Sequence, residues 1–260
     1  MDTVGFQCTR RRGRMPWIFR LTGLGRSVSV VGVAIARSRR AGGAGRGRML
    51  RVRWRTGARS ARYARAVRLD PPARPLSDGV VRLRPWTEAD IFAIAEACRD
   101  PEIARWLDSV PQPYTLADAR AYVAMTKRGW KEHALAAFAV TDAGSGEVWG
   151  SVGISVVDAE HEVAEIGYWV KRAQRGRGVA TRAVRLASCW ALRECGIKRL
   201  QLRADLHNVA SQRVAERAGF TREGVLRSSR YSPRRGRRVD FVLYSLLPGE
   251  ERCGEGEKPL

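Results

Sequence analysis

Residues 80–84, Val-Val-Arg-Leu-Arg, alternate apolar and basic side chains, the two-residue period of a strand with one buried face. Thr87 then opens a helix to about Cys98, with Asp90 three residues on in the manner of a capping box. A short helix is expected over 100–107 and a longer one over 116–130, opened by Thr115 and Asp118. Apolar and β-branched runs at 135–141, 148–157 and 163–171 read as three strands, the first two parted by the turn residues 142–146. In the third strand Ile166, Tyr168 and Val170 share one face, and Glu165, Gly167 and Trp169 the other. A glycine-rich turn at 174–178 leads into a helix to about Glu194, in which Val179, Ala183, Ala187, Trp190 and Ala191 recur at helical spacing and Gly196 marks the end. Residues 199–205 form a strand with Leu200, Leu202 and Ala204 inward. Asn208 caps a helix to Ala218, with Gly219 just past it. Strands at 220–227 and 239–247 close the series. Helices interrupting strands without strict alternation imply an α+β fold around a mixed sheet.

Charge alters the picture only at the front. The chain has 260 residues, is 44 % hydrophobic and carries a formal net charge of +22. Its first 75 residues hold 19 arginines against two acids, Asp2 and Asp70. That segment is dominated by Arg, Gly, Ala and Ser and has too little apolar surface to offset the entropy of ordering. Residues 1–75 are therefore expected to be a disordered basic extension or linker, with Met15 and Met49 as alternative internal starts. A folded domain is expected over 76–249 and a polar tail over 250–260. The apolar run 28–36 is too short to span a bilayer, and Arg20 and Arg26 interrupt any signal-peptide core, so a cytoplasmic protein without membrane contact is expected. The basic arm leaves weak RNA or ribosome contact open. Cys8, Cys98, Cys189, Cys195 and Cys253 show no C-x-x-C or metal-ligand spacing; reduced thiols and no metal are expected.

The chemistry gathers at Gln174-Arg-Gly-Arg-Gly-Val-Ala-Thr181, between a strand and a helix. Closely spaced glycines let backbone N–H groups turn toward a ligand, and the start of a helix favours phosphate. Arg175 and Arg177 add positive charge. Thr181 stands where a dinucleotide loop needs glycine, and no Gly-Lys-Ser/Thr is present for a nucleotide P-loop. Read alone, the segment is equally a tight turn with solvated arginines.

The spacing R-x-x-G-x-A, in Arg175, Gly178 and Ala180, resembles the acyl-CoA pyrophosphate loop of the GNAT acetyltransferase superfamily. Other segments are similar to its branch that acetylates ribosomal-protein N-termini, the RimJ/RimL type. They are residues 164–170 (Ala-Glu-Ile-Gly-Tyr-Trp-Val), Asn208-Val-Ala-Ser211, Ala218-Gly-Phe220, Glu223-Gly224, and Arg238-Val-Asp240 with Tyr244-Ser245. The opening Val81-Arg-Leu-Arg-Pro85 matches as well; His207 stands where the pattern fixes nothing. The resemblance implies a GNAT fold, with helices on both faces of the mixed sheet and a fourth and fifth strand splayed apart. It implies acetyl-CoA as acyl donor and a primary amine, often a protein or peptide N-terminal α-amine, as acceptor. It places the donor site at Trp169, Val170, Arg175, Gly176, Arg177, Gly178, Val179, Ala180, Thr181, Asn208 and Ser211. Glu165 is the candidate base for the amine; burial raises a carboxylate's pKa toward the range that task needs. Ser211 is the candidate donor to the departing thiolate, with Tyr231 and Tyr244 as fallbacks. Structural alternatives stand beside these roles: Glu165 pairs with an arginine, and Asn208 and Ser211 form a helix start. Trp86, Trp106, Trp130, Trp149 and Trp169 read mostly as packing, with Trp106 bordering the acceptor groove. His133 and His161 read as surface residues. A small-molecule amine acetyltransferase, of the antibiotic type, is the rival within the branch. An idle acyl-CoA-binding module with an RNA-contacting arm is the rival outside it. The oligomeric state is left as monomer or homodimer.

Overall fold

In a computed structural model of the chain, residues 67–253 are described. In chain order the elements are β1 (Leu76–Ser77), β2 (Val81–Pro85), α1 (Ile91–Cys98), α2 (Pro101–Trp106), α3 (Leu116–Lys131), β3 (Leu135–Asp142), β4 (Val148–Asp158) and β5 (Val163–Val170). They continue with α4 (Val179–Glu194), β6 (Arg199–Asp205), α5 (Val209–Ala218), β7 (Thr221–Ser232) and β8 (Arg237–Leu246). The eight strands form one sheet in the order β1-β2-β3-β4-β5-β6-β8-β7.

Strand alternation divides the interior into two layers. Ala136, Phe138 and Val140 of β3 pack with Val184, Ala187 and Trp190 of α4, while Ala137 and Ala139 pack with Ile94 of α1 and Val123 of α3. The expected face assignment of β5 is borne out: Ala164 and Ile166 enter the first layer and Trp169 the second. Thr87 starts a single 3-10 turn ahead of α1, its N–H and hydroxyl both donating to Asp90 Oδ2 at 2.9 and 2.8 Å. Asp90 also accepts a fork from Arg84 at 2.8 and 2.7 Å. Burial pushes this carboxyl up, but the bonds from Arg84 and Thr87 hold it below its ordinary value.

One pairing sets up the function. All neighbouring strands are antiparallel except β5 and β6, which run parallel and pair only at Val163↔Arg199, Ala164↔Leu200 and Glu165↔Gln201. Beyond Glu165 the two strands diverge. The far side of β5 is held by β4 through to Gly150↔Val170. A Cβ placed on Gly150 would lie 2.4 Å from the Trp169 carbonyl oxygen, so no side chain fits between these backbones. Gly150→Val is expected to destabilise the protein by about 1–3 kcal/mol, the usual cost of overpacking, as read by urea unfolding.

Several expectations are corrected. The packed body reaches beyond 76–249 at both ends: Val67 and Leu69 are buried in the first layer, and Glu251 pairs with Arg193 of α4 at 3.0 Å. Those apolar positions lie inside the segment 1–75 read as an extension or linker, so packing and composition mark different boundaries. The two-residue β1 was not foreseen. β7 runs five residues past Arg227, because bulges at Gly224 and near Ser228 (φ 53°) carry the ladder through a polar run that breaks alternation. Cys189 and Cys253 are joined in a disulfide across a separation of 64 residues, contrary to the expectation of reduced thiols. No local spacing could show this, because the partners meet only when the tail folds back onto α4. Cys98 and Cys195 are free and buried, their thiols pushed up by burial to about 11 and about 12. Cys8 and the arm proposed for RNA contact lie mostly or wholly outside the described residues. Among the described residues no helix is long and apolar enough to cross a membrane.

Candidate active site

The divergence of β5 and β6 opens a cleft of about 480 Å³. Its walls are β5 from Glu165 to Val170, β6 from Leu202 to Asp205, the start of α4, one face of α5, and α2. Of the residues assigned to the site from sequence, all but Arg177 and the fallback tyrosines Tyr231 and Tyr244 border it.

On the donor side, Gly176 and Gly178 take positive φ values of 76° and 79°, and Gly178 is the N-cap of α4. A left-handed N-cap is cheap only for glycine. A Cβ added at either position meets nothing within 4 Å, so the space over this turn is open. The first-turn amides of Val179, Ala180 and Thr181 have no intrahelical partner, and these residues border the cleft. Together with the helix dipole they make a seat for an anion. The two arginines brace this seat. Arg175 Nε donates to the Val170 carbonyl at 3.1 Å and its Nη2 to Asp100 at 2.6 Å, while Arg177 donates to Gln174 Oε1 at 2.8 Å. Asp100 in turn caps α2 by accepting from the Glu102 N–H at 3.0 Å.

The groups assigned to chemistry stand on opposite faces of β5. Glu165 occupies the last paired position before the gap, and its carboxylate meets Arg203 of β6 at 2.6 Å. Ser211 lies one turn into α5, where its N–H donates to the side chain of the N-cap Asn208 at 3.1 Å. Its hydroxyl accepts from the phenol of Tyr168 at 3.0 Å. Burial pushes Tyr168 up to about 12, so it stays a protonated donor at any ordinary pH. Tyr168 was placed by sequence on the right face of β5 but not given a role; the same alternation that put it opposite Glu165 was the available signal. Trp169 is 9 % exposed and stacks on Trp86 at a centroid distance of 6.1 Å, so it meets the cleft largely through its backbone. Tyr231 is exposed and Tyr244 is fully buried with its hydroxyl on Glu216 at 3.2 Å; neither borders the cleft.

On the Glu165 face the sheet presents Arg203, Asp205 and Phe241, with the Arg230 guanidinium 5.4 Å from the Phe241 ring centre. Trp106 does border this space, its Nε1 fixed on Glu102 at 2.7 Å and its ring flanked by the guanidiniums of Arg105 and Arg235 at 4.8 and 5.3 Å. The turn between β7 and β8 is fastened over α2. Arg234 donates to the carbonyls of Ala104 and, at 2.8 Å, Val110, and Arg235 to the Arg105 carbonyl at 3.0 Å and Asp205 at 2.6 Å. Cations on the free carbonyls at the end of a helix are favourably placed. The run Pro233-Arg-Arg235 carried no sequence signal for this, because its α2 partners lie 130 residues away and Asp205 lies 30 residues away. Further out on this hairpin, Glu223 accepts a fork from Arg199 at 2.7 and 2.6 Å and a bond from Ser245, which hold it down to about 2.

The cleft thus joins an open glycine turn at a strand gap to a carboxylate and a hydroxyl on opposite faces of the strand. Residues 81–221 match the family model described as an acetyltransferase (GNAT) domain. The chain belongs to the GNAT acetyltransferase family. Among GNAT relatives it is 27 % identical over 169 residues to "Uncharacterized N-acetyltransferase p20" of Bacillus licheniformis, covering 65 % of this chain and 93 % of that protein. It is 26 % identical over 85 residues to the ribosomal-protein-serine acetyltransferase of Escherichia coli, spanning 33 % of this chain and 48 % of that enzyme. Its fold is shared with RimL, the ribosomal L7/L12 α-N-protein acetyltransferase solved with coenzyme A, at a TM-score of 0.59 and 21 % identity over 66 % of this chain and 96 % of the other. It is shared equally with MccE, the microcin C7 self-immunity acetyltransferase solved with acetyl-CoA and AMP, at a TM-score of 0.60 and 19 % identity over 66 % and 94 %. The expected GNAT fold is thereby borne out, and the ribosomal-protein acetyltransferase among the relatives supports the RimJ/RimL-type kinship.

Proposed function

We propose that this GNAT enzyme transfers an acetyl group from acetyl-CoA to a primary amine, and that the amine is a protein or peptide N-terminal α-amine. The observation that carries the reading is the strand gap, with the open Gly176–Gly178 turn at one end and Glu165 and Ser211 on its two faces.

In this reading the amides from Gly176 to Thr181 take the diphosphate of the donor. The pantetheine arm enters the gap beside Trp169 and Val170; strand alternation turns the Val170 N–H toward the missing β6 partner, while the Lys171 N–H is held by β4. An N–H there also stabilises the oxyanion that develops at the thioester, an effect of about 3 kcal/mol when well placed. Glu165 draws the proton from the attacking amine, directly or through water, while Arg203 holds the carboxylate at the fork. The C–N bond forms, the C–S bond breaks, and the electron pair passes to sulfur, which Ser211 stabilises by a hydrogen bond before solvent protonates it.

The acceptor space on this side is bordered by Trp106, Arg230 and Phe241, and in this reading it receives a slender chain end. Intact-mass screening with acetyl-CoA against a panel of N-terminal peptides and small amines tests the reading. Acetylation of peptide α-amines is expected. Turnover confined to small amines overturns the acceptor assignment, and no donor binding by calorimetry overturns the site.

A further inference from the structure

For Ser211 to meet the departing sulfur, its hydroxyl proton must point into the cleft. A serine hydroxyl rotates freely, and at the third position of a helix it can equally turn back to the cap. Two contacts remove that freedom. The Ser211 backbone is fixed by Asn208 at 3.1 Å, and its oxygen receives the Tyr168 phenol at 3.0 Å. We infer that Tyr168 is a positioning residue that aims the Ser211 hydroxyl at the departing sulfur, through the hydrogen bond it donates to Ser211 Oγ. This rests on the reading of Ser211 given above.

The geometry decides the direction of the pair. With one lone pair of Ser211 engaged by Tyr168, its own proton is left for the cleft that both side chains border. The phenol sits on the β5 face opposite Glu165, so it has no part in deprotonating the amine. Donation from Tyr168 also polarises the serine hydroxyl, which makes it a better donor to an anionic sulfur. No proton needs to leave Tyr168. As the C–S bond breaks, the sulfur carries the electron pair as thiolate, held by Ser211 until it is protonated from solvent.

Coenzyme A alone reports on this, because its free thiol mimics the leaving group and no acceptor is required. The probe is the ultraviolet difference absorbance of the thiolate in the enzyme–CoA complex at neutral pH, measured at saturating CoA. The wild type is expected to hold more thiolate than free CoA. Tyr168→Phe and Ser211→Ala are each expected to cut the bound thiolate ratio by about tenfold, the scale of a hydrogen bond to a charged group, and the double variant to fall no further than either alone. CoA affinity is expected to change by less than about threefold, because the diphosphate seat is intact. A wild-type thiolate level in Tyr168→Phe, with Ser211→Ala reduced, overturns the positioning role and leaves Ser211 standing. A wild-type level in Ser211→Ala overturns the role of Ser211 itself. Should Tyr168→Phe not fold, 3-fluorotyrosine placed at position 168 keeps the shape and strengthens the donor. The thiolate ratio is then expected to rise, and an unchanged ratio overturns the inference.

Discussion

Gly178→Val is expected to weaken binding of acetyl-CoA by roughly 10- to 100-fold while leaving the chain folded. Two effects add. Gly178 sits at φ 79°, where a side chain costs about 1–2 kcal/mol and a β-branched one is worst placed. The valine would also project into the open space over the turn, where nothing within 4 Å now stands and where the diphosphate is to lie. The free variant relaxes out of this turn and must restore it on binding, so at about 1.4 kcal/mol per tenfold the backbone cost alone is about 5- to 30-fold, and the steric overlap carries it into the stated range. Gly178→Ala should fall between wild type and valine. Calorimetric titration with CoA reads the effect; an unchanged Kd for the valine variant would falsify the assignment of this turn as the diphosphate seat.

Glu165→Gln is expected to lower kcat by about 10²-fold or more, the usual contribution of a positioned base, with donor affinity within about twofold of wild type. Glutamine keeps the side-chain size and an oxygen facing Arg203 but gives up the ion pair, while the backbone pairing of β5 and β6 is untouched. The split between kcat and donor Kd carries the test. If both fall together, Glu165 braces the gap through Arg203; if neither falls, the amine loses its proton elsewhere. Arg203→Lys separates the cases further, since it shortens the brace while leaving the carboxylate in place.

The fold was legible wherever one periodicity ran without interruption. The buried stripe of α4 and the alternation of β5 were read residue by residue, because helices and strands that bury one face must repeat their apolar positions. The glycine turn and the capped start of α5 were legible for a different reason: left-handed glycines and capping side chains are local chemistry. What was not legible was settled by distant partners. The long β7, the Cys189–Cys253 bond and the Arg234–Arg235 clasp each depend on contacts far apart in the chain, and their residue types are the ones that elsewhere mark exposed loops. Tyr168 falls between. Its strand face was readable, but its serine partner belongs to a helix more than forty residues on, so its task could not be read.

Asp100 couples two parts of the cleft. One of its oxygens secures Arg175 beneath the glycine turn and the other starts α2, whose Trp106 borders the opposite chamber. Whatever tightens the turn is thus mechanically linked to that wall, and such coupling acts equally in both directions. In the proposed reaction, occupancy of either half by its reactant is expected to tighten the other, and Asp100→Ala should reduce that cooperativity more than it harms either half alone.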